Sequence, residues 1–129
     1  MKLTYRQIEF LVSNDIVQGV LDKATGRFGL GLYRVISKIQ LEAEPFRKQM
    51  QKIIDTYAQK KEDGTPVVEI INGQQTVLII PGKELEAANE VEDLRSQEIE
   101  IPIDPIEINM PENSDITTRE LLSIRLILK

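Results

Sequence analysis

The sequence contains no cysteine, no histidine and no tryptophan. The lack of cysteine excludes disulfides and thiolate metal sites, and the lack of histidine removes the commonest metal ligand and general base. Most familiar catalytic constellations need one of these residues. We therefore expect a protein that is not an enzyme and that uses no metal or cofactor.

Long hydrophobic runs are also missing. No stretch of about 18 apolar residues exists to span a bilayer, and the first residues lead into an amphipathic segment instead of a signal-peptide hydrophobic region. At 129 residues the chain has the length of one ordinary domain. We expect a single soluble domain, 1–129, that does not contact a membrane.

Charge is divided unevenly along the chain. Residues 1–61 contain 11 basic and 6 acidic residues, whereas residues 62–129 contain 5 basic and 15 acidic residues. The two halves could complement each other within one fold or across a dimer, or the acidic half could imitate nucleic acid or meet a basic partner. The acidic half argues against nucleic-acid binding, because its carboxylates repel phosphate.

One long helix dominates the basic half. Its apolar residues recur with gaps of four and three, which places them on a single helical face. They are Leu32, Ile36, Ile39, Ala43, Phe46, Met50, Ile53 and Tyr57. The pattern predicts one helix over 31–61 that continues, bent, through Pro45. A helix of about 45 Å is too long for a small globule to cover, so we expect a homodimer with Phe46 and Met50 in its contact.

The opposite face of this helix is basic. It carries Arg34, Lys38, Arg47, Lys48 and Lys52. No aromatic side chains suited to base stacking alternate with these charges. We therefore interpret the basic face as solvated surface.

A shorter helix is predicted over 4–22, where Thr4 and Gln7 form a capping box. Six residues, Gly26-Arg27-Phe28-Gly29-Leu30-Gly31, then lead to the long helix. Two interpretations stay open for them. They form either a flexible turn between helices or an anion site in which Arg27 and Arg34 flank the start of the long helix.

In the acidic half, the helical spacing of apolar residues gives way to β-rich runs. Two β-rich runs separated by Asn72-Gly73 predict a hairpin over 67–80, since this pair readily adopts positive φ. A third helix is predicted over 83–97. Its inward residues should be Leu85, Ala88, Val91 and Leu94.

An alternating segment follows near 98–103. Pro102 and Pro105 cannot donate ladder hydrogen bonds, so this strand should lie at a sheet edge. It either closes the sheet of the hairpin or, with Ile101 and Ile103, accepts a strand from a partner. A second alternation comprises Ile106, Ile108 and Met110.

The last helix is predicted over 117–128. Thr117 and Glu120 form a capping box, and Ile116 and Leu121 are placed as a hydrophobic staple around it. A terminal segment this apolar should dock into the core or a dimer partner. The predicted fold class is α+β, with a long kinked helix and shorter helices packed on a small antiparallel sheet made of the hairpin and the edge strand.

The order of these elements is similar to that of a known family. A short N-terminal helix precedes a long helix ending in 54–64, a helix from Leu85 to Leu94, a strand over 98–103 and a closing helix from Thr117 to Leu128. The chain resembles a family of small uncharacterised proteins from bacteriophages of Gram-positive bacteria. The resemblance implies a phage or prophage protein that acts in the bacterial host cytoplasm or in the virion.

Three functions stay open. The first is a non-enzymatic binding protein that occupies the surface of a host or phage protein, a class that includes inhibitors of host defence. The second is a structural or assembly component, such as a tail or head-completion protein. The third is a protein that sequesters an anionic nucleotide through Arg27 and Arg34. The absence of catalytic residue types and the edge strand favour the first.

Overall fold

The computed structural model describes residues 1–107 and 113–129, and within them the chain has the predicted α+β architecture. The elements are β1 (Lys2–Thr4), α1 (Tyr5–Ser13), α2 (Asp15–Lys23), α3 (Gly26–Tyr57), β2 (Val68–Ile71), β3 (Gln74–Val77), α4 (Glu84–Ser96), β4 (Glu98–Glu100), α5 (Thr118–Ser123) and a 3₁₀ turn (Arg125–Ile127). The predicted alternation at Ile108 and Met110 lies outside the described residues.

The chain forms two compact units. The first comprises Met1–Glu44 and Gln97–Lys129, and the second comprises Pro45–Ser96. Helix α3 belongs to both units and continues through Pro45, as the uninterrupted apolar spacing predicts. The single domain over 1–129 stays a prediction.

In the first unit, the helix predicted over 4–22 is wrong, because the chain breaks at Asn14. This residue has an extended backbone and caps both neighbours. Its N–H donates to the Phe10 carbonyl at 3.0 Å, and its side-chain oxygen accepts from the Ile16 N–H at 2.9 Å. Asparagine favours such caps because its short side chain competes with helical hydrogen bonds. The Thr4 and Gln7 capping box is confirmed.

The strand predicted near 98–103 forms only over Glu98–Glu100, and its pairing was predicted wrongly. Strand β4 pairs antiparallel with β1, with Leu3 opposite Ile99, and not with the hairpin. Strand β1 is only three residues long and ends at Thr4, the N-cap of the capping box, so no local pattern indicated it. Pro102 ends the pairing, as expected of a residue without an N–H.

The core of the first unit is built on the apolar face of α3. Its buried members are Leu3, Ile8, Leu11, Val17, Val20, Phe28, Leu32, Val35, Ile36, Ile39, Ala43, Ile101, Ile116, Ile124 and Ile127. The predicted docking of the C-terminal segment is therefore confirmed for Ile124 and Ile127. The Thr117 and Glu120 capping box is also confirmed, although the helix is shorter than predicted and becomes a 3₁₀ turn.

The second unit contains the hairpin. Asn72 and Gly73 have φ of 52° and 79°, which confirms the predicted turn. The segment after α3 joins the base of the hairpin, because the Gln59 N–H donates to the Leu78 carbonyl and the Val67 N–H donates to the Gln59 carbonyl, both at 2.8 Å. These bonds tie down two strands that would be marginal alone.

Helix α4 buries a face that agrees only in part with the predicted one, since Leu94 is buried and Val91 is partly buried as expected. Ala87 and Leu94 are buried, whereas Leu85 is 73% exposed and Ala88 is also exposed. The helix is mostly acidic and carries few apolar residues, so two faces fitted the sequence almost equally well.

Candidate functional site

Helix α3 carries apolar side chains on two faces. The first unit buries one face in its core, and the other presents Leu30, Tyr33 and Leu41 to solvent. Together with Ser37, these residues follow gaps of three, four and four, which defines a second helical strip opposite the core. Tyr33 is 65% exposed and Leu41 is 70% exposed.

An extended segment lies beside this strip and turns it into a groove. Ile103 forms the facing wall, and the groove has a volume of about 440 Å³. We call it the α3 groove. It is lined by Leu30, Tyr33, Arg34, Ser37, Lys38, Leu41 and Ile103.

Backbone hydrogen bonds hold the wall in place. The Ile101 N–H donates to the Met1 carbonyl at 2.8 Å, and the Ile103 N–H donates to the Ile101 carbonyl at 2.7 Å. Further along, the Ile106 N–H donates to the Ile127 carbonyl at 2.9 Å. Residue Ile106 of this segment packs against α3 at Gly31, where its Cγ2 lies 3.4 Å from the position that a Cβ would occupy, which is ordinary contact. The wall is therefore part of the folded unit.

Two cations border the apolar floor. Arg34 and Lys38 are four residues apart on α3, so they are neighbours on its surface. Neither forms an ion pair with any residue in 1–107 or 113–129. No acidic residue lines the groove. The lining of the groove thus combines exposed apolar surface with two cations that form no ion pair within the described residues.

The structure unites two residues that the sequence assigned to separate sites. Arg34 was a candidate anion ligand and Ile103 a candidate partner contact, and both line the α3 groove. Arg27 is exposed on α3 two helical turns before Arg34 but does not line the groove. Pro102 and Pro105 are exposed and do not line it either.

The other predicted contacts are less accessible. Phe46 is only 4% exposed and Met50 is partly buried, so this side of α3 is already covered within the chain. Ile101 is fully buried in the core of the first unit. The burial of Phe46 argues against a dimer in which Phe46 and Met50 form the contact.

The predicted glycine turn is wrong, because α3 already begins at Gly26. Gly26 has φ of 66° and starts the helix. The Gly29 N–H donates to the Thr25 carbonyl at 3.1 Å as part of the first helical turns, so it is not available to an anion. Residues 26–31 are therefore the first turns of a helix and not a loop.

A second depression, of about 600 Å³, lies between α2 and α5. One of its lining residues, Glu120, already has protein partners: Lys23 Nζ at 2.8 Å and the Thr117 N–H at 3.0 Å. The hydrogen bond from Lys23, followed by that from the Thr117 backbone, lowers the pKa of Glu120 from 4.5 to about 2. We therefore assign this carboxylate a structural role, in which it pairs with Lys23 and caps α5.

Sequence reasoning missed three apolar residues of the groove, which are Leu30, Tyr33 and Leu41. Leu30 was assigned to a turn, and Tyr33 and Leu41 were assigned to no surface. Their spacing was the available signal, since a second strip of apolar residues at helical gaps is unusual on a face that should be solvated.

Comparison with known proteins identifies no relative. No family model matches the sequence, and neither curated proteins nor solved structures gave a match. In the parts of the chain that the structure describes, no helix is long and apolar enough to cross a membrane. Within the same residues, no three carboxylates converge as metal ligands would.

Proposed function

We propose that this protein acts by binding another protein through the α3 groove and catalyses no reaction. The observation that carries the proposal is the groove itself. In it, Tyr33 and Leu41 are exposed beside Ile103, whose segment is held by backbone hydrogen bonds. Exposed apolar residues that are grouped and bordered by polar ones are typical of protein-binding surfaces.

The resemblance to bacteriophage proteins supports a specific form of this proposal. The bound protein would belong to the bacterial host, and its activity would be blocked by occupation of its surface. Inhibition of a host defence protein is one such role. A protein with this function needs a docking surface and no catalytic residues.

A pair of matched variants tests the proposal. Leu41→Glu places a charge in the groove, and Leu85→Glu places the same charge on α4. The two leucines are 70% and 73% exposed, so neither change should disturb folding, which circular dichroism and thermal melting would verify. Tagged wild-type protein and both variants are then used to recover proteins from bacterial lysate.

We expect a protein that co-purifies with the wild type and with Leu85→Glu but is lost with Leu41→Glu. The loss follows because burying a carboxylate in an apolar contact is costly. Recovery of the same proteins with all three forms would contradict the proposal.

A further inference from the structure

Building on the function proposed above, we propose that the partner of the α3 groove is an acidic amphipathic helix of another protein. Three properties of the groove favour this occupant: its shape, the hydrogen bonding of its walls and its charge.

The groove fits a helix better than a strand. Its walls offer no row of unpaired backbone groups to a strand, because the Ile103 N–H donates to Ile101 and the Ile106 N–H donates to Ile127. Recognition must then use side chains. The floor extends from Leu30 to Leu41, or about 16 Å along the helix axis. A partner helix of three turns, with apolar residues at i, i+3 or i+4, and i+7, matches this length.

The positive charge of Arg34 and Lys38 favours an acidic partner. Arg34 and Lys38 repel each other at a spacing of four residues, and no described carboxylate pairs with either. Carboxylates beside the apolar face of a bound helix would relieve this repulsion and supply ion pairs that direct docking. A basic helix would add to the repulsion.

A second copy of this chain fits the groove less well. A twofold contact through the groove would bring together the Arg34 and Lys38 side chains of both copies. Helix α4 of another copy is acidic and exposes Leu85, but the other apolar residue on that surface is the small Ala88. It cannot fill a floor that carries Leu30, Tyr33 and Leu41.

The test is a selection from displayed random peptides 16 residues long. The full-length protein serves as bait, and Leu41→Glu serves for counter-selection, so that only groove-dependent binders are kept. Fluorescence anisotropy then measures the dissociation constant of the enriched peptides for the wild type, for Leu85→Glu and for the double variant Arg34→Glu with Lys38→Glu. Circular dichroism with excess protein reports whether the bound peptide is helical.

We expect enriched peptides with net negative charge and apolar residues at helical spacing. They should bind wild type and Leu85→Glu equally, and the double variant at least about tenfold more weakly, because attraction becomes repulsion. Neutral or basic binders, extended bound peptides, or an unchanged affinity for the double variant would overturn the proposal while leaving a groove that binds protein. A selection without groove-dependent peptides would also overturn it.

Sedimentation of the wild type, Leu41→Glu and Leu85→Glu tests the alternative that α4 of a second copy occupies the groove. A wild-type oligomer that both variants dissociate would identify α4 of a second copy as the occupant and overturn the proposal. The recovery experiment described above decides the proposed function independently, since it does not depend on the charge or shape of the partner.

Discussion

The Thr25 N–H donates a hydrogen bond of 2.8 Å to the side-chain oxygen of Asn113, 88 positions further along the chain. Asn113 is fully buried, and its amide also donates to the Thr25 carbonyl at 3.5 Å. Thr25 immediately precedes α3. The loop before α5 therefore anchors the start of the helix that carries the groove.

Replacement of Asn113 should destabilise the protein. Asn113→Ala removes the acceptor of a partly buried hydrogen bond from the Thr25 N–H, and we expect a loss of about 1–3 kcal/mol in the free energy of unfolding. Urea denaturation measures the loss. The exposed Asn89→Ala is the control and should change the free energy by less than about 0.5 kcal/mol. Equal effects of the two changes would contradict the anchoring role.

Two glycines of α3 should respond in opposite directions to alanine. A Cβ at Gly29 would lie 2.7 Å from the Ala24 carbonyl oxygen, which is too close for backbone to accommodate, so Gly29→Ala should destabilise by about 1–3 kcal/mol. At Gly31 the nearest atom is Cγ2 of Ile106 at 3.4 Å, which is ordinary contact. Gly31→Ala should stabilise by up to about 1 kcal/mol through helix propensity. Thermal melting of both variants tests the pair, and a stabilised Gly29→Ala would be contrary to the structure.

Glu120 should make stability depend on pH. Its pKa is lowered from 4.5 to about 2 in the folded protein, first by Lys23, so its contribution is complete above pH 4.5 and is lost as the pH falls toward 2. Glu120→Gln keeps an acceptor for the Thr117 N–H but cannot carry the charge. Urea unfolding of the wild type and variant from pH 7 to 2 should show a stability difference that shrinks through this range. A difference independent of pH would disprove the Lys23 pairing.

The local parts of the fold were predictable from sequence. The capping boxes at Thr4 and Thr117 and the turn at Asn72-Gly73 involve residues within three positions of each other, so their chemistry is present in the pattern. The core face of α3 was also predictable, because gaps of three and four continue without a break through Pro45.

The pairing of β4 and the groove, which the sequence did not predict, depend on distant partners. The pairing of Leu3 with Ile99 joins residues 96 positions apart in the chain, and no local pattern indicates it. The groove likewise needs Ile103 beside Arg34, and this position depends on the path of the extended segment against Gly31. Sequence periodicity describes one helix at a time, so it cannot reveal which second element completes a surface.

Photocrosslinking in cells addresses the central claim, which is that the α3 groove binds another protein. Benzoylphenylalanine replaces Tyr33 in the groove, and in a second form it replaces Leu85 on α4, which is similarly exposed. After irradiation of bacterial cells that produce each form, we expect a discrete adduct from position 33 that position 85 does not give. Addition of Leu41→Glu to the first form should remove the adduct. No adduct at position 33, or the same adducts from both positions, would contradict the account.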